Sequence, residues 1–132
     1  MEEQMARRLV AAEGKKLQQA GLVERTWGNI SCRIDENHFV ITPSGLDYET
    51  MTARDLVLMD IRNGVCCGAH KPSSEKGVHL AAYQTFPEVV YVIHTHQTYA
   101  TAIGLCGFEQ LAMTEEEAEK LGGIARAAYG LS

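Results

Sequence analysis

Residues 89–96 read Val89-Val90-Tyr91-Val92-Ile93-His94-Thr95-His96. Five residues suited to a buried β-strand run straight into two histidines one residue apart. Side chains i and i+2 of a strand leave the same face, so His94 and His96 project together from its end. Two imidazoles so placed can grip one metal ion, and zinc, which takes nitrogen ligands in a tetrahedral shell, suits them. Two surface histidines closing a strand would have the same spacing, and His-x-His alone does not separate the two readings. A catalytic zinc also needs a third protein ligand, for which the chain offers His38, His70, His79, Glu75 and its cysteines. His79 follows Glu75 by four residues, so both share one face of a helix there. A core or helix-surface histidine would sit equally well at 79. His38 and His70 lie beside turns and are expected to be solvated.

The segment before this strand supports a helix. Pro72-Ser73-Ser74-Glu75 predicts a helix start, with serine as N-cap and an early acid at the positive end of the dipole. That helix is expected to end at Thr85, before Phe86-Pro87. Further upstream, residues 2–20 predict a helix with Met5, Leu9, Val10 and Leu17 as its apolar stripe and Gly21 stopping it. Residues 27–34 and 37–45 predict two strands around the turn Asp35-Glu36-Asn37. Residues 55–60 predict a third, and Asn63-Gly64 a hairpin turn leading to a return strand over 65–68. After His96, helices are expected over 98–105 and 114–121, the latter capped by Thr114. Strands, hairpins and helices without a regular βαβ rhythm predict a mixed or antiparallel sheet covered by helices.

The 132 residues suit one domain, and 45% hydrophobic with 22% charged residues suffices for a core. A net charge of −5 argues against nucleic-acid binding, which needs a basic face to replace phosphate counterions. A small anion is still possible, because backbone amides and a metal supply local positive potential. No apolar run reaches membrane-spanning length, and the N-terminal residues lack the apolar segment of a signal peptide. Cys32, Cys66, Cys67 and Cys106 form no C-x-x-C pair and read as reduced thiols of a cytoplasmic protein.

Three short segments share one character: Gly28-Asn29-Ile30-Ser31, Thr42-Pro43-Ser44-Gly45 and Pro72-Ser73-Ser74-Glu75. Each sets Gly or Pro beside small hydroxyl or amide side chains at a strand end or helix start. Such segments can surround a phosphate with N–H and O–H donors, though each taken alone also fits an ordinary turn or cap.

The order GNIS, ITPSG, KPSSE with His79, then HTH resembles the class II aldolase/adducin family, closest to sugar-phosphate aldolases of the L-fuculose-1-phosphate type. The resemblance runs from the first helix to Tyr129. It implies an α/β fold, a three-layer α/β/α sandwich around a central, mainly antiparallel sheet, and a homotetramer with active sites between subunits. It implies that His94 and His96 bind Zn2+, with Glu75 as catalytic acid/base; the expected proximity of Glu75 to the metal also makes it a candidate ligand before substrate arrives. Asn29, Ser44, Gly45, Ser73 and Ser74 match the substrate-phosphate pocket, Gly28 shapes the loop before Asn29, and Tyr129 matches a tyrosine acting on the aldehyde side.

The implied reaction is cleavage of a ketose 1-phosphate to dihydroxyacetone phosphate and an aldehyde through a metal-stabilised enediolate. Its small-molecule partner is a sugar phosphate, with no nucleic acid and no membrane. Within the family, epimerases acting on ribulose phosphate are expected to carry Asp where this chain has Glu75. A methylthioribulose-1-phosphate dehydratase shares much of the motif set. A non-catalytic adducin-like assembly module would lack the metal histidines. The resemblance also implies that residues 1–132 form one domain whose C-terminal part, with a third zinc histidine, lies beyond Ser132.

Overall fold

A computed structural model describes residues 1–106 and 114–121. These fall in two compact units, residues 1–96 and the described residues from 97 onward.

The first unit is built on a five-stranded sheet. Its strands are β1 (Asn29–Arg33), β2 (His38–Ile41), β3 (Val57–Asp60), β4 (Cys66–Cys67) and β5 (Tyr91–His94). They lie in the order β4-β3-β2-β1-β5. Every neighbouring pair is antiparallel, and β1 lies inside the sheet next to the edge strand β5, pairing Ser31 with Ile41 on one side and with Val92 on the other. The expected Asn63-Gly64 turn joins β3 to β4. Gly64 takes φ 69°, and the Asn63 side chain accepts from the Val65 N–H.

Strand alternation sorts the side chains into two layers of core. Ile30, Cys32 and Val40 pack with Ala6, Val10 and Ala11 of helix α1 (Glu3–Gln19) and with Tyr48, Met51 and Leu56. On the opposite face Phe39, Ile41, Val57 and Met59 pack with Tyr83 of helix α2 (Lys76–Thr85). The unit is therefore α1, sheet, α2: three layers, as the motif order implies.

Helix α1 ends as Gly21 predicts. Gly21 has φ 70°, its N–H reaches Gln18 O, and the Leu22 N–H reaches Leu17 O, the paired bonds of a Schellman cap. Its buried stripe differs from expectation. Ala6, Val10, Ala11 and Gly14 face the sheet, whereas Met5 is 57% exposed. Small residues win because the helix packs closely on the Tyr48 ring, which lies in the loop between β2 and β3. A Cβ on Gly14 would stand 2.5 Å from the Tyr48 ring.

Helix α2 also starts later than expected. Its N-cap is Glu75, with no side-chain cap bond, and Ser73 instead closes the turn before it, accepting from the Glu75 N–H at 3.3 Å. Strand β5 is less buried than its apolar run suggests. Tyr91 and Ile93 are 46% and 54% exposed, because α1 packs mainly over β1 and β2.

The second unit contains α3 (Thr98–Leu105) and α4 (Glu115–Leu121). Thr114 caps α4 as expected, accepting from the Glu117 N–H while Glu117 accepts from the Thr114 N–H. The four cysteines are free, Cys32 buried and the others exposed.

Candidate metal and acid–base site

The β1–β5 register sets Asn29 opposite His94. Asn29 and Ser31 are two apart on β1, so both face the α2 side of the sheet. Above them α2 presents Glu75, His79 and Tyr83 at four-residue spacing. Strand and helix thus bring together a continuous set of polar side chains.

At its open end, Glu75 Oε2 lies 2.6 Å from His94 Nδ1 and 2.5 Å from Asn29 Nδ2. The rings of His94 and His96 are 4.8 Å apart between centroids, which places both on one side as the i, i+2 spacing predicts. Ligand atoms of Glu75, His94 and His96 all lie within 4.8 Å of one another. One carboxylate and two imidazoles are a donor set that zinc and related divalent ions accept, so these residues fit a metal. Trp27, half exposed, lies beside His96 with ring centroids 5.8 Å apart and the planes tilted by 38°.

At its buried end, His79 is fully buried. Its Nδ1 is 2.6 Å from Ser31 Oγ, and its Nε2 bonds Asn29 Oδ1. Ser31 Oγ is in turn 2.7 Å from the Tyr83 hydroxyl. Burial lowers the His79 pKa to about 4, with the positive charge of His94 adding to the effect and Glu75 opposing it. His79 is therefore a core histidine, as one of its two readings held, but one bonded directly into the site.

Gly28 sits in the turn that enters β1. It has φ 77°, and a Cβ there would meet Val23 Cγ1 at 2.6 Å and the His94 carbonyl at 2.7 Å. The three small-residue segments adjoin. Thr42 N–H donates to Ile30 O, Ser73 N–H to Thr42 O, and Ser44 N–H to Lys71 O. Ser44, Gly45 and Ser74 are exposed and Ser73 is buried. The Asn29 amide is committed to His79 and Glu75. Tyr129 lies outside the described residues. His38 and His70 stay away from the site, each beside an aspartate, Asp35 and Asp55 respectively. The sequence reading missed Ser31 and Tyr83. The signal was the match between polar residues two apart on β1 and four apart on α2.

The family model for the class II aldolase and adducin N-terminal domain matches residues 8–131. The chain belongs to this family. Among curated relatives, the L-ribulose-5-phosphate 4-epimerase UlaF of Salmonella paratyphi C is 47% identical over 89 residues, covering 66% of this chain and 39% of that protein. Among solved structures, an L-fuculose 1-phosphate aldolase is 40% identical with a TM-score of 0.70, covering 75% of this chain and 47% of that one. YgbL of Escherichia coli shares the class II aldolase fold at 24% identity with a TM-score of 0.83, covering 93% and 61%. The chain thus spans less than two thirds of each of these relatives' lengths, and under half of the first two. No helix among the described residues is long and apolar enough to cross a membrane.

Proposed function

We propose that this class II aldolase family member is the core of a zinc-dependent enzyme that breaks a carbon–carbon bond in a ketose 1-phosphate, giving dihydroxyacetone phosphate and an aldehyde. The observation that carries the reading is the meeting of Glu75, His94 and His96. Those three residues would hold the metal. When bound, it supplies positive charge that stabilises negative charge developing beside the cleaved bond.

The chain's own residues do the rest. Glu75 moves the proton to or from the carbon that becomes nucleophilic, holding its carboxylate in place through Asn29 and His94. The exposed Ser44, Gly45 and Ser74, with Ser73 behind them, bind the phosphate and orient the substrate. Tyr129 acts on the aldehyde half. The working form is a cytoplasmic homotetramer.

A second reading is favoured by the 47% identity to a ribulose-phosphate 4-epimerase. The two reactions are chemically close. Inverting a hydroxyl-bearing carbon one bond beyond the α-carbon of a ketose can use the same cleavage, followed by re-addition to the other face. Glu75, where the epimerases are expected to carry Asp, favours the aldolase. The test is product analysis with the zinc-loaded protein carrying this chain. Dihydroxyacetone phosphate released from L-fuculose 1-phosphate supports the first reading. Conversion of L-ribulose 5-phosphate to its 4-epimer without net cleavage supports the second, and neither product overturns both.

A further inference from the structure

The buried polar set behind Glu75 has one consistent direction. An ionised carboxylate only accepts hydrogen bonds, so the Asn29 atom beside Glu75 Oε2 is the amide nitrogen. Asn29 Oδ1 then faces His79 Nε2, which must carry the proton. In a neutral imidazole the other nitrogen is an acceptor, and Ser31 Oγ, 2.6 Å from His79 Nδ1, is its donor. The Ser31 oxygen accepts in turn from the Tyr83 hydroxyl at 2.7 Å. In this order each donor from Tyr83 through Ser31, His79 and Asn29 to Glu75 has its short acceptor, with longer contacts of 3.3 Å from the Tyr83 hydroxyl to Val90 O and between Asn29 Nδ2 and His94 Nδ1 beside it. At the far end, the 2.6 Å contact makes His94 Nδ1 a donor to the same Glu75 oxygen, leaving His94 Nε2 with its lone pair.

The order matters because an amide can turn over. With the proton on His79 Nδ1 instead, the bare Nε2 would favour the turned amide, in opposition to Glu75. The flipped amide would set its carbonyl against the Glu75 carboxylate and repel it from the position shared with His94. A histidine serving packing alone needs no particular tautomer.

We propose that His79 is a positioning residue: its Nε2–H fixes which end of the Asn29 amide faces Glu75, and Ser31, backed by Tyr83, fixes the His79 tautomer. The inference deepens the reading of Glu75 as acid/base and rests on it for its catalytic consequence. The tautomer itself stands independently of that reading.

The first experiment is nitrogen-15 NMR of the imidazoles in the zinc-free protein at neutral pH. His79 is expected as the neutral Nε2–H form in the parent, and as a mixture containing Nδ1–H in Ser31→Ala. An Nδ1–H or charged His79 in the parent overturns the proposal, whatever the activity. The second experiment compares His79→Gln, which keeps a donor near the Nε2 position, with His79→Leu, which keeps none. His79→Leu is expected to lower kcat by about tenfold or more at unchanged zinc content, with His79→Gln restoring most of it. Equal losses in both variants, following their melting temperatures, would mean a purely structural role and overturn the proposal. If Glu75→Gln retains parental activity, it is the acid/base reading that fails, while the NMR result still decides the tautomer.

Discussion

Asn29 and His94 sit directly opposite each other in the β1–β5 ladder, and both reach the same oxygen of Glu75. A backbone register thereby sets the spacing of an amide and an imidazole around a carboxylate that comes from a different element. Strand pairing is rigid, whereas α2 is joined to the sheet through packing and the buried polar set. The geometry of the site depends on how closely β1 and β5 approach at this point.

Gly28 controls that approach. A Cβ at 28 would fall 2.7 Å from the His94 carbonyl, with φ at 77° adding backbone strain. Gly28→Ala is expected to destabilise the fold by about 1–3 kcal/mol, from strain and forced displacement together. Urea unfolding gives the stability, and zinc titration of the folded fraction reads any shift of His94. An unchanged midpoint would show that the loop relaxes freely.

His94 and His96 should both be needed for metal. Losing a group that merely supports a ligand costs about 10–100-fold in affinity, so losing a direct ligand should cost at least about 100-fold. His94→Ala and His96→Ala are each expected to do so in a competition titration with a chelator. His38→Ala, at a histidine beside Asp35 and outside the metal group, should leave the affinity unchanged. Equal zinc affinity in parent and His96→Ala would remove His96 from the site.

Much of this arrangement is legible in the chain. The spacing of His94 and His96, the Gly21 stop, the Asn63-Gly64 hairpin and the Thr114 cap each depend on local rules, and each is found where those rules put it. What is not local is less legible. The stripe of α1 includes Ala6 and Gly14 because the helix packs closely on the core at Tyr48, and no helical periodicity reports that distance. The role of Ser31 needs the facing of β1 and α2, which are 48 residues apart at the Ser31–His79 bond. The start of α2 moves to Lys76, and the Ser73 hydroxyl accepts from the Glu75 N–H in the turn just ahead of the helix.

Arg33 ties the far end of β5 in place. Its guanidinium donates to Val89 O at 2.8 Å and Tyr83 O at 2.7 Å and lies over the Tyr83 ring, 4.8 Å from the centroid. A lysine can satisfy one of these carbonyls but has neither the fork nor the planar stack. Arg33→Lys is expected to cost about 1–3 kcal/mol and to raise amide exchange in β5 before that in β2. Hydrogen exchange with residue resolution checks this. Uniform acceleration across the sheet would mean that the loss is global and that Arg33 does not hold β5 in particular.

His79 should also leave a mark on acid stability. Its pKa is lowered from 6.5 to about 4, first by burial and then by His94, so the folded chain binds that proton more weakly than the unfolded chain. Above about 6.5 neither state holds the proton and stability is full. As pH falls through the interval, the unfolded chain takes it up first and stability declines. The total is on the order of 3 kcal/mol, at about 1.4 kcal/mol per tenfold difference in proton affinity. Below about 4 both states are protonated and the loss from this group is complete. Asp60, held near 2 by hydrogen bonds from Arg62, acts in a lower window, between its ordinary 3.8 and about 2. The two contributions therefore separate on the pH axis. Urea midpoints of zinc-free protein, taken stepwise from neutral pH to pH of about 4, should decline for the parent and flatten for His79→Gln by close to one proton. Parallel curves for the two proteins would mean that His79 is protonated in the fold across this range, and with it the direction assigned to the bonds among Ser31, His79 and Asn29 would be lost.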